Sequence, residues 1–487
     1  MQKRFFFTMG IIAVSLLLSN AAVYSQPIGE TIELIDDTPT FAEVENLVAI
    51  TPNGPVILAK TSGEDREPKL SVLNNGTTSV FWVNRSGSHH VSGVDVTGQR
   101  IFDVFEDAGA DDILMGVNTG GNTNWTLNKA DRVNGNFLAA ATFQYNQLFG
   151  TGITLPDTVV DADGYSQDDG QGHGFFRLFN DQLQPITPTI SISQFSAGHR
   201  EWDCCWLSDG KFVIGTVCQE HRYEADPDYP AGGNKIATIN IFNADGSRFA
   251  DEFFVAEDLT GTQGDLRLGS LANGFVAIYK ESFSGLVQGI IFDNDGNRIK
   301  KFVVTDETFG IGADWMDAGG GNTFVTIHQI NGKDGMGLPD DLLDFPIILG
   351  QVWNDQGERV GPYVVASQQA DGRGLGRPRC AMAPNGTFVL SWEDALADDV
   401  QFTKSVVGRI FNADGSPACN AFVVHPLPEF ADSNGGDPGE PICGMNNDIV
   451  SFAWGSRAVP NGAARDIVTM AYQNPAMGTE VASWEVY

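Results

Sequence analysis

The sequence predicts an all-β fold, namely a β-propeller of seven four-stranded blades in one closed domain. Three observations predict it: a hairpin motif that recurs along the chain, a second hairpin motif that alternates with the first, and the lack of long helical patterns. Four-stranded sheets repeated around an axis protect the sheet edges that an open stack would expose. A pair of β-sandwiches is the structural alternative, but it does not explain why seven units share one register.

The first motif is a turn rich in Gly and Asn followed by an apolar strand. Its copies span residues 74–82, 133–141, 208–216, 271–279, 320–328, 384–392 and 445–454. Strand-length runs joined by Asn-Gly or Asp-Gly are the sequence signal of a β-hairpin. Each copy therefore predicts the first two strands of a blade, which we name strands A and B.

The second motif predicts strands C and D of each blade. Its copies span residues 91–105, 174–190, 238–255, 288–304, 349–365, 407–424 and 468–486. The position before the turn is aromatic in all but the first copy, where Val94 stands: Phe179, Phe242, Phe292, Trp353, Phe411 and Tyr472. A ring that recurs at one position of a repeat indicates packing in the core.

The best copies resemble a known kind of repeat. The segments VGRIFNADGSPACNAFVV (407–424) and PNGTFVLSW (384–392) are similar to repeats of secreted bacterial β-propeller proteins of the surface and adhesin-like type, where phrases such as FNADG and DGGFVVxW recur. The resemblance covers most of residues 200–425 and implies an extracellular repeat protein. It supplies no catalytic residue, because the shared positions are turns and core.

The N-terminus has the pattern of an export signal. Lys3 and Arg4 precede an apolar run over residues 5–18, and small residues follow up to Ser25. This pattern predicts a signal peptide over residues 1–25, with a membrane anchor as the alternative, although the run is short for a bilayer span. We therefore expect a secreted or cell-surface protein, with the periplasm as a further compartment, and no membrane span after cleavage.

The remaining chain divides into two parts. Residues 26–66 form an N-terminal extension, and residues 67–487 form the propeller. A hairpin within residues 43–59 is expected either to pair with the last blade and close the ring or to sit as a cap.

The charge of the chain excludes one class of partner. Its formal net charge is −33, and a field of that sign repels phosphate backbones and anionic lipid surfaces. Nucleic acid is therefore not expected as a partner.

Six cysteines in an exported chain predict disulfides, because thiols oxidise outside the cytosol. The sequence does not choose among the fifteen pairings, and no Cys-x-x-Cys spacing indicates a zinc site. The candidates are Cys204, Cys205, Cys218, Cys380, Cys419 and Cys443.

The order of the strands places any functional site on one face. The A–B and C–D turns are tight and share one face, which we name the turn face. The B–C and D–A links emerge on the other face, the loop face, and the long links are 142–174, 219–234, 329–346, 393–405 and 425–440. Loops on a rigid scaffold usually carry binding and catalysis.

One acidic loop-face segment is a calcium candidate. The segment DADGYSQDDG (161–170) offers Asp161, Asp163, Asp168 and Asp169, and oxygen ligands around a Gly turn suit this cation. Tyr165 stands where a third acid is expected, so a polar surface loop is the alternative. We expect no organic cofactor.

Aromatic and imidazole side chains fall near the same face and are candidates for ligand contact. They are Trp82, His90, His173, His221, His328, Trp392 and Trp454. Exposed indoles offer rigid area for a sugar or a protein, and converging imidazoles suit a transition metal. The alternatives are that the indoles are buried between blades and that the histidines only avoid buried strands.

These features favour a secreted or surface binding protein that recognises a glycan or a protein through its acidic loop face, and calcium is its candidate cofactor. A metal-dependent extracellular hydrolase or lyase acting on polysaccharide is the first rival. A self-assembling subunit of a filament or surface layer is the second.

Overall fold

The computed structural model shows a seven-bladed all-β propeller. It describes residues 47, 50, 56–58, 65–84, 89–100, 126–131, 133–144, 172–182, 184–192, 197–220, 235–256, 262–281, 286–305, 313–318, 321–331, 346–368, 375–395, 404–424, 439–456 and 466–476. These residues form seven antiparallel sheets, so the fold class predicted from the two motifs is confirmed. Within the same residues, no helix is long and apolar enough to cross a membrane.

Blades 1 to 3 follow one another along the chain. Blade 1 contains β2 (Asp65–Val72), β3 (Thr78–Asn84) and β4 (His89–Val94), and a single bridge joins Val94 to Arg100. Blade 2 contains β5 (Thr126–Ala130), β6 (Phe137–Gln144), β7 (Gly172–Phe179) and β8 (Ile190–Ser191). Blade 3 contains β9 (Ala197–Trp206), β10 (Phe212–Glu220), β11 (Ile236–Phe242) and β12 (Arg248–Phe254).

Blades 4 to 6 repeat the same order. Blade 4 contains β13 (Gln263–Leu271), β14 (Gly274–Glu281), β15 (Val287–Phe292) and β16 (Arg298–Thr305). Blade 5 contains β17 (Ala313–Ala318), β18 (Thr323–Asn331), β19 (Pro346–Asn354) and β20 (Arg359–Gln368). Blade 6 contains β21 (Leu375–Met382), β22 (Phe388–Ala395), β23 (Lys404–Phe411) and β24 (Phe422–Val423).

Blade 7 combines the two ends of the described chain. It contains β25 (Gly439–Met445), β26 (Ile449–Ser456) and β27 (Asp466–Gln473), and its fourth strand is β1 (Val56–Ile57). Val56 pairs with Thr469 and Ile57 with Val468. An N-terminal strand thus completes the last blade, and the A strands contact one another in a closed circle from β2 to β25.

The core lies between neighbouring blades. Buried side chains form clusters that each draw on two adjacent sheets, as where Val213 and Ile239 of blade 3 meet Leu268 and Ala277 of blade 4. The aromatic position of the second motif stacks on strand B of its own blade, for example Phe275 on Phe292 with centroids 4.8 Å apart. The six aromatic residues predicted at this position are at most 2% exposed.

An arginine just after the C–D turn links three pairs of blades. Arg248 donates to the carbonyl of Ile192 in blade 2 at 3.0 Å, and Arg298 donates to that of Val255 in blade 3 at 3.0 Å. Arg100 donates to the carbonyl of Leu58, which directly follows β1. The same contact therefore anchors the ring-closing strand and joins blades that are continuous in sequence.

The FNADG segments are hairpin turns, as the sequence indicates. In one of them the Asp245 carboxylate accepts from the Ser247 amide at 2.9 Å and from its hydroxyl at 2.6 Å. These bonds lower the pKa of Asp245. Gly246 follows with φ +86°, a conformation that glycine adopts without steric cost.

The expected disulfides are not formed among the cysteines whose side chains the structure describes. Cys204, Cys205, Cys380, Cys419 and Cys443 form no disulfide bond. Cys204 and Cys205 are neighbours on β9 and pack into two different clusters, because successive strand residues point to opposite faces. Buried cysteines outside a disulfide behave as small apolar residues, and all of the five except the half-buried Cys419 are buried. The expectation of disulfides is corrected for these five. The side chain of Cys218 lies outside the described part.

Candidate functional site

The three tryptophans proposed for ligand contact are core residues. Trp82, Trp392 and Trp454 are 3%, 0% and 4% exposed, and each belongs to a cluster between two blades. The expectation of exposed indoles is corrected for these positions, because their strands are covered on both faces by neighbouring blades.

Two of the four histidines are also buried. His90 is 6% exposed and stacks on Trp82 with centroids 5.4 Å apart. His328 is 1% exposed, and its Nε2 lies 2.9 Å from the Thr326 hydroxyl. Burial, assisted by the charge of Arg359, lowers the pKa of His328 to about 3, so the ring is neutral at neutral pH. Neither side chain is an exposed ligand contact.

The other predicted site residues are not described at side-chain level. His173 lies in β7, where its backbone pairs with Phe143. His221 and the calcium candidates Asp161, Asp163, Asp168 and Asp169 fall outside the described residues. These calls stay predictions. Among the residues that the structure does describe, no three His, Cys, Asp or Glu side chains are grouped to hold a metal ion.

A feature not foreseen from the sequence recurs at the loop-face end of the A strands. Among the described residues, six of the seven A strands carry a β-bulge there, where the pairing with strand B shifts. A bulge bends its strand and re-aims a side chain, and bulges are frequent at rims next to active sites. The six bulges surround the propeller axis because the A strands form the innermost circle.

In four blades the bulge has the same composition. A charged residue and a Pro or Leu together oppose one buried ring: Glu67–Pro68 and Trp82, Asp265–Leu266 and Tyr279, Arg377–Pro378 and Trp392, Glu440–Pro441 and Trp454. Proline fits here because it lacks the amide proton that a ladder bond would need. The three tryptophans that the sequence offers as ligand contacts thus fill the space behind the bulges.

Charged residues occupy the bulge positions around the mouth of the axis. By register these positions are Glu67, Arg200, Asp265, Asp314, Arg377 and Glu440, and the structure describes the side chain of Asp265 among them. Asp265 is half-buried and has φ +52°, a left-handed conformation that Asp tolerates better than most residues. We name these six positions the mouth ring.

A second level of charge lies one step deeper along the same strands. Lys69, Arg267 and Arg379 occupy the position directly after the bulge and are half-buried. The Arg267 guanidinium donates to the Leu266 carbonyl at 2.7 Å, and that of Arg379 donates to the Pro378 carbonyl at 2.9 Å. Each arginine is therefore held against the bulge of its own strand.

A buried carboxylate joins three blades at this level. Asp203 on β9 is 1% exposed and accepts from the Leu268 amide of blade 4 at 2.9 Å. The Lys129 ammonium of blade 2 lies 3.7 Å from its other oxygen. These contacts fix the spacing of three A strands and so support the geometry of the mouth ring.

The innermost strands differ in charge from the rest of the chain. They carry seven Lys and Arg against eight Asp and Glu, whereas the whole chain carries 29 against 62. The composition of the innermost strands is therefore nearly balanced in charge, while the remainder of the sequence is strongly acidic.

A sequence signal for the mouth ring existed. REPK (66–69), GDLR (264–267), GRPR (376–379) and GEPI (439–442) each precede a first-motif turn by a similar distance. The first motif is defined by the turn and the strand after it, so these segments, which precede the turn, lie outside it.

Comparison with known proteins gives structural likenesses alone. No family model and no curated protein matches the chain. A protein of unknown function from Dyadobacter fermentans covers 88% of this chain over 100% of its own, at 10% identity and a TM-score of 0.44.

Two further solved structures have similar values. The intramolecular trans-sialidase of Ruminococcus gnavus covers 87% of this chain over 97% of its own, at 11% identity and a TM-score of 0.41. The WD40 domain of Toxoplasma gondii coronin covers 90% over 88%, at 9% identity and a TM-score of 0.42. None of their residue roles transfers to this chain.

Proposed function

We propose that this protein is an exported binding propeller that recognises a carbohydrate at the loop-face mouth of its axis. The observation that supports this most is the mouth ring, in which bulges on six of seven A strands bring charged residues around one opening.

The chemistry of the ring suits a neutral or weakly charged polar ligand. Sugar hydroxyls both donate and accept hydrogen bonds, carboxylates accept, and guanidinium groups donate in a fixed fork. The mouth ring and the level below it together contain both acidic and basic residues. A protein partner is the alternative ligand and would be distinguished by the experiment below.

Export is part of the same proposal. The basic start, the apolar run and the small residues of positions 1–25 support it, as does an acidity that keeps a surface-exposed protein soluble. Mass spectrometry of the mature protein from its native culture tests it. A mature chain starting near residue 26 is expected, and an intact Met1 in the cell interior would contradict it.

The binding test uses variants at described positions of the mouth. A glycan array with the purified full chain identifies a ligand, and calorimetry then compares wild type with Asp265→Asn, Arg267→Gln and Arg379→Gln. Loss of one hydrogen bond to a charged group costs about 1.5–3 kcal/mol, so each variant should bind roughly tenfold or more weakly. Asp448→Asn on the turn face, where Asp448 is exposed, is the matched control.

The outcomes separate the candidates. Weaker binding by the three variants with an unchanged control supports the proposal. If no glycan binds and a protein binds through the same three positions, the ligand of this site is a protein. If the folded variants bind the glycan as tightly as wild type, the binding site does not lie at the mouth of the axis.

The rival functions are tested on the same preparation. Release of reducing ends from a bound polymer, together with a transition metal in the purified protein, would favour the metal-dependent hydrolase or lyase. The buried position of His328 removes one ligand that this hypothesis relied on. An adhesin-like or surface-layer role agrees with the proposal if the bound glycan belongs to a cell surface.

A further inference from the structure

A row of exposed apolar side chains lies on the outer rim of four consecutive blades. Ile186, Phe249, Ile299 and Val360 are 48%, 43%, 58% and 36% exposed. Each directly follows the residue that pairs with the core ring of strand C: Pro185, Arg248, Arg298 and Arg359. They are therefore equivalent positions of blades 2 to 5.

The centre of this row is well ordered by its contacts. Lys211 lies over the Phe249 ring, with its ammonium 3.8 Å from the ring centroid. The same ammonium is 2.7 Å from the Asp295 carboxylate of blade 4 and 3.2 Å from that of Asp209. These contacts hold the exposed Phe249 ring in place in the isolated chain.

The strands on either side of the centre carry opposite charges at equivalent positions. In β16, Lys301 is exposed and pairs with Ile290 of strand C. The corresponding position of β12 is a bulge that holds Asp251 and Glu252 opposite Asn240, and Asp251 is exposed. Blade 3 therefore presents acid where blade 4 presents base, beside the apolar residues Phe249 and Ile299.

We propose that this rim is the interface of a two-fold symmetric dimer of the chain, with the symmetry axis parallel to the propeller axis and passing between blades 3 and 4. Rotation about such an axis leaves the position of every residue along the propeller axis unchanged. Blade 3 of one copy therefore faces blade 4 of the other. Phe249 then lies beside Ile299 of the second copy, and Asp251 beside Lys301 of the second copy. Each contact occurs twice, as in any isologous interface.

Charge complementarity selects a second copy as the occupant. The outermost strands β12 and β16 end their sheets, and charged residues on such strands normally prevent unwanted pairing. Here like strands repel and unlike strands attract, so the pattern permits the two-fold pair and disfavours contact of β12 with β12 or of β16 with β16. The exposed Val303 of β16, at 53%, extends the apolar contact.

The test is a charge swap measured by sedimentation equilibrium of the full chain, from about 1 µM to about 1 mM, the range expected of a small interface. Wild type should show a monomer–dimer equilibrium. Lys301→Glu and Asp251→Lys should each weaken it about tenfold or more, because two attractive pairs per dimer become repulsive. The double variant should regain dimerisation, and an equimolar mixture of the two single variants should form mixed dimers.

The swap distinguishes the interface from damage to the fold. Thermal unfolding of each variant reports folding, and Asp448→Lys, exposed on blade 7, controls for a change in net charge. A monomer at every concentration, an open series of larger species, or a folded double variant that stays monomeric would each overturn the proposal.

Discussion

Replacing Arg298 by Met tests whether arginines after the C–D turn hold the blades together. Met keeps the apolar stem of the side chain and removes only its donors. The variant deprives two carbonyls of blade 3, those of Phe254 and Val255, of their guanidinium partner.

The magnitude follows from the number and exposure of these bonds. A buried hydrogen bond to a charged group contributes about 1.5–3 kcal/mol. Arg298 is exposed, so water replaces part of what is lost, and we expect the free energy of unfolding to fall by about 1–2 kcal/mol in total. Urea unfolding followed by circular dichroism measures the loss as a lower midpoint with an unchanged slope.

Lys300→Met is the matched control on the same strand. Lys300 is half-buried, and its ammonium lies 4.0 Å from the Glu358 carboxylate. A surface ion pair of this kind contributes about 0–1 kcal/mol. Equal midpoints for the two variants would refute the role given to the arginine.

Three other changes probe separate parts of the structure. The pKa of His328 is lowered to about 3 in the folded protein, so the unfolded chain binds a proton at this residue more readily. As the pH falls from the unfolded pKa of about 6.5 to about 3, the free energy of unfolding should decrease by about 1.4 kcal/mol per pH unit. His328→Leu should flatten this dependence between pH 6 and 4 in urea titrations, and an unchanged slope would contradict the buried placement. Trp392→Phe should lower the free energy of unfolding by about 1–2 kcal/mol through lost packing, and the ligand Kd measured by calorimetry should not change. An unchanged stability with a weaker Kd would show that the indole contacts the ligand. If residues 161–170 bind calcium, the ion should raise the Tm of wild type and not of Asp163→Ala, and equal shifts in both would dismiss this loop.

The fold was predictable because its signals are local. Turns such as that at Gly246 require specific residues, and the ring before each turn, such as Phe292, repeats because every blade packs on its neighbour in the same way. These constraints act within a few residues of the chain, so a repeat search detects them.

The site was less predictable because it depends on long-range packing. Trp392 was placed near the correct face, but strand alternation alone does not show that both sides of β22 are covered. His328 was expected at the end of a strand, beside a loop-face link, and it does lie in β18. Its burial was not expected, and a short polar contact with Thr326 compensates that burial. The bulges were missed because a bulge depends on the pairing partner, and the sequence of one strand does not reveal it.

The cysteines show the same limit. Exported chains usually form disulfides, but Cys204 and Cys380 lie in different clusters of the core. Because they pack in different clusters, these two cysteines do not form a disulfide with each other.

The location of a bound ligand tests the central claim most directly. An experimental structure of the full chain with the glycan identified by the array should show the sugar at the mouth of the axis on the loop face, within hydrogen-bond distance of Asp265, Arg267 or Arg379. A sugar bound on the turn face or against the outer rim would contradict the account.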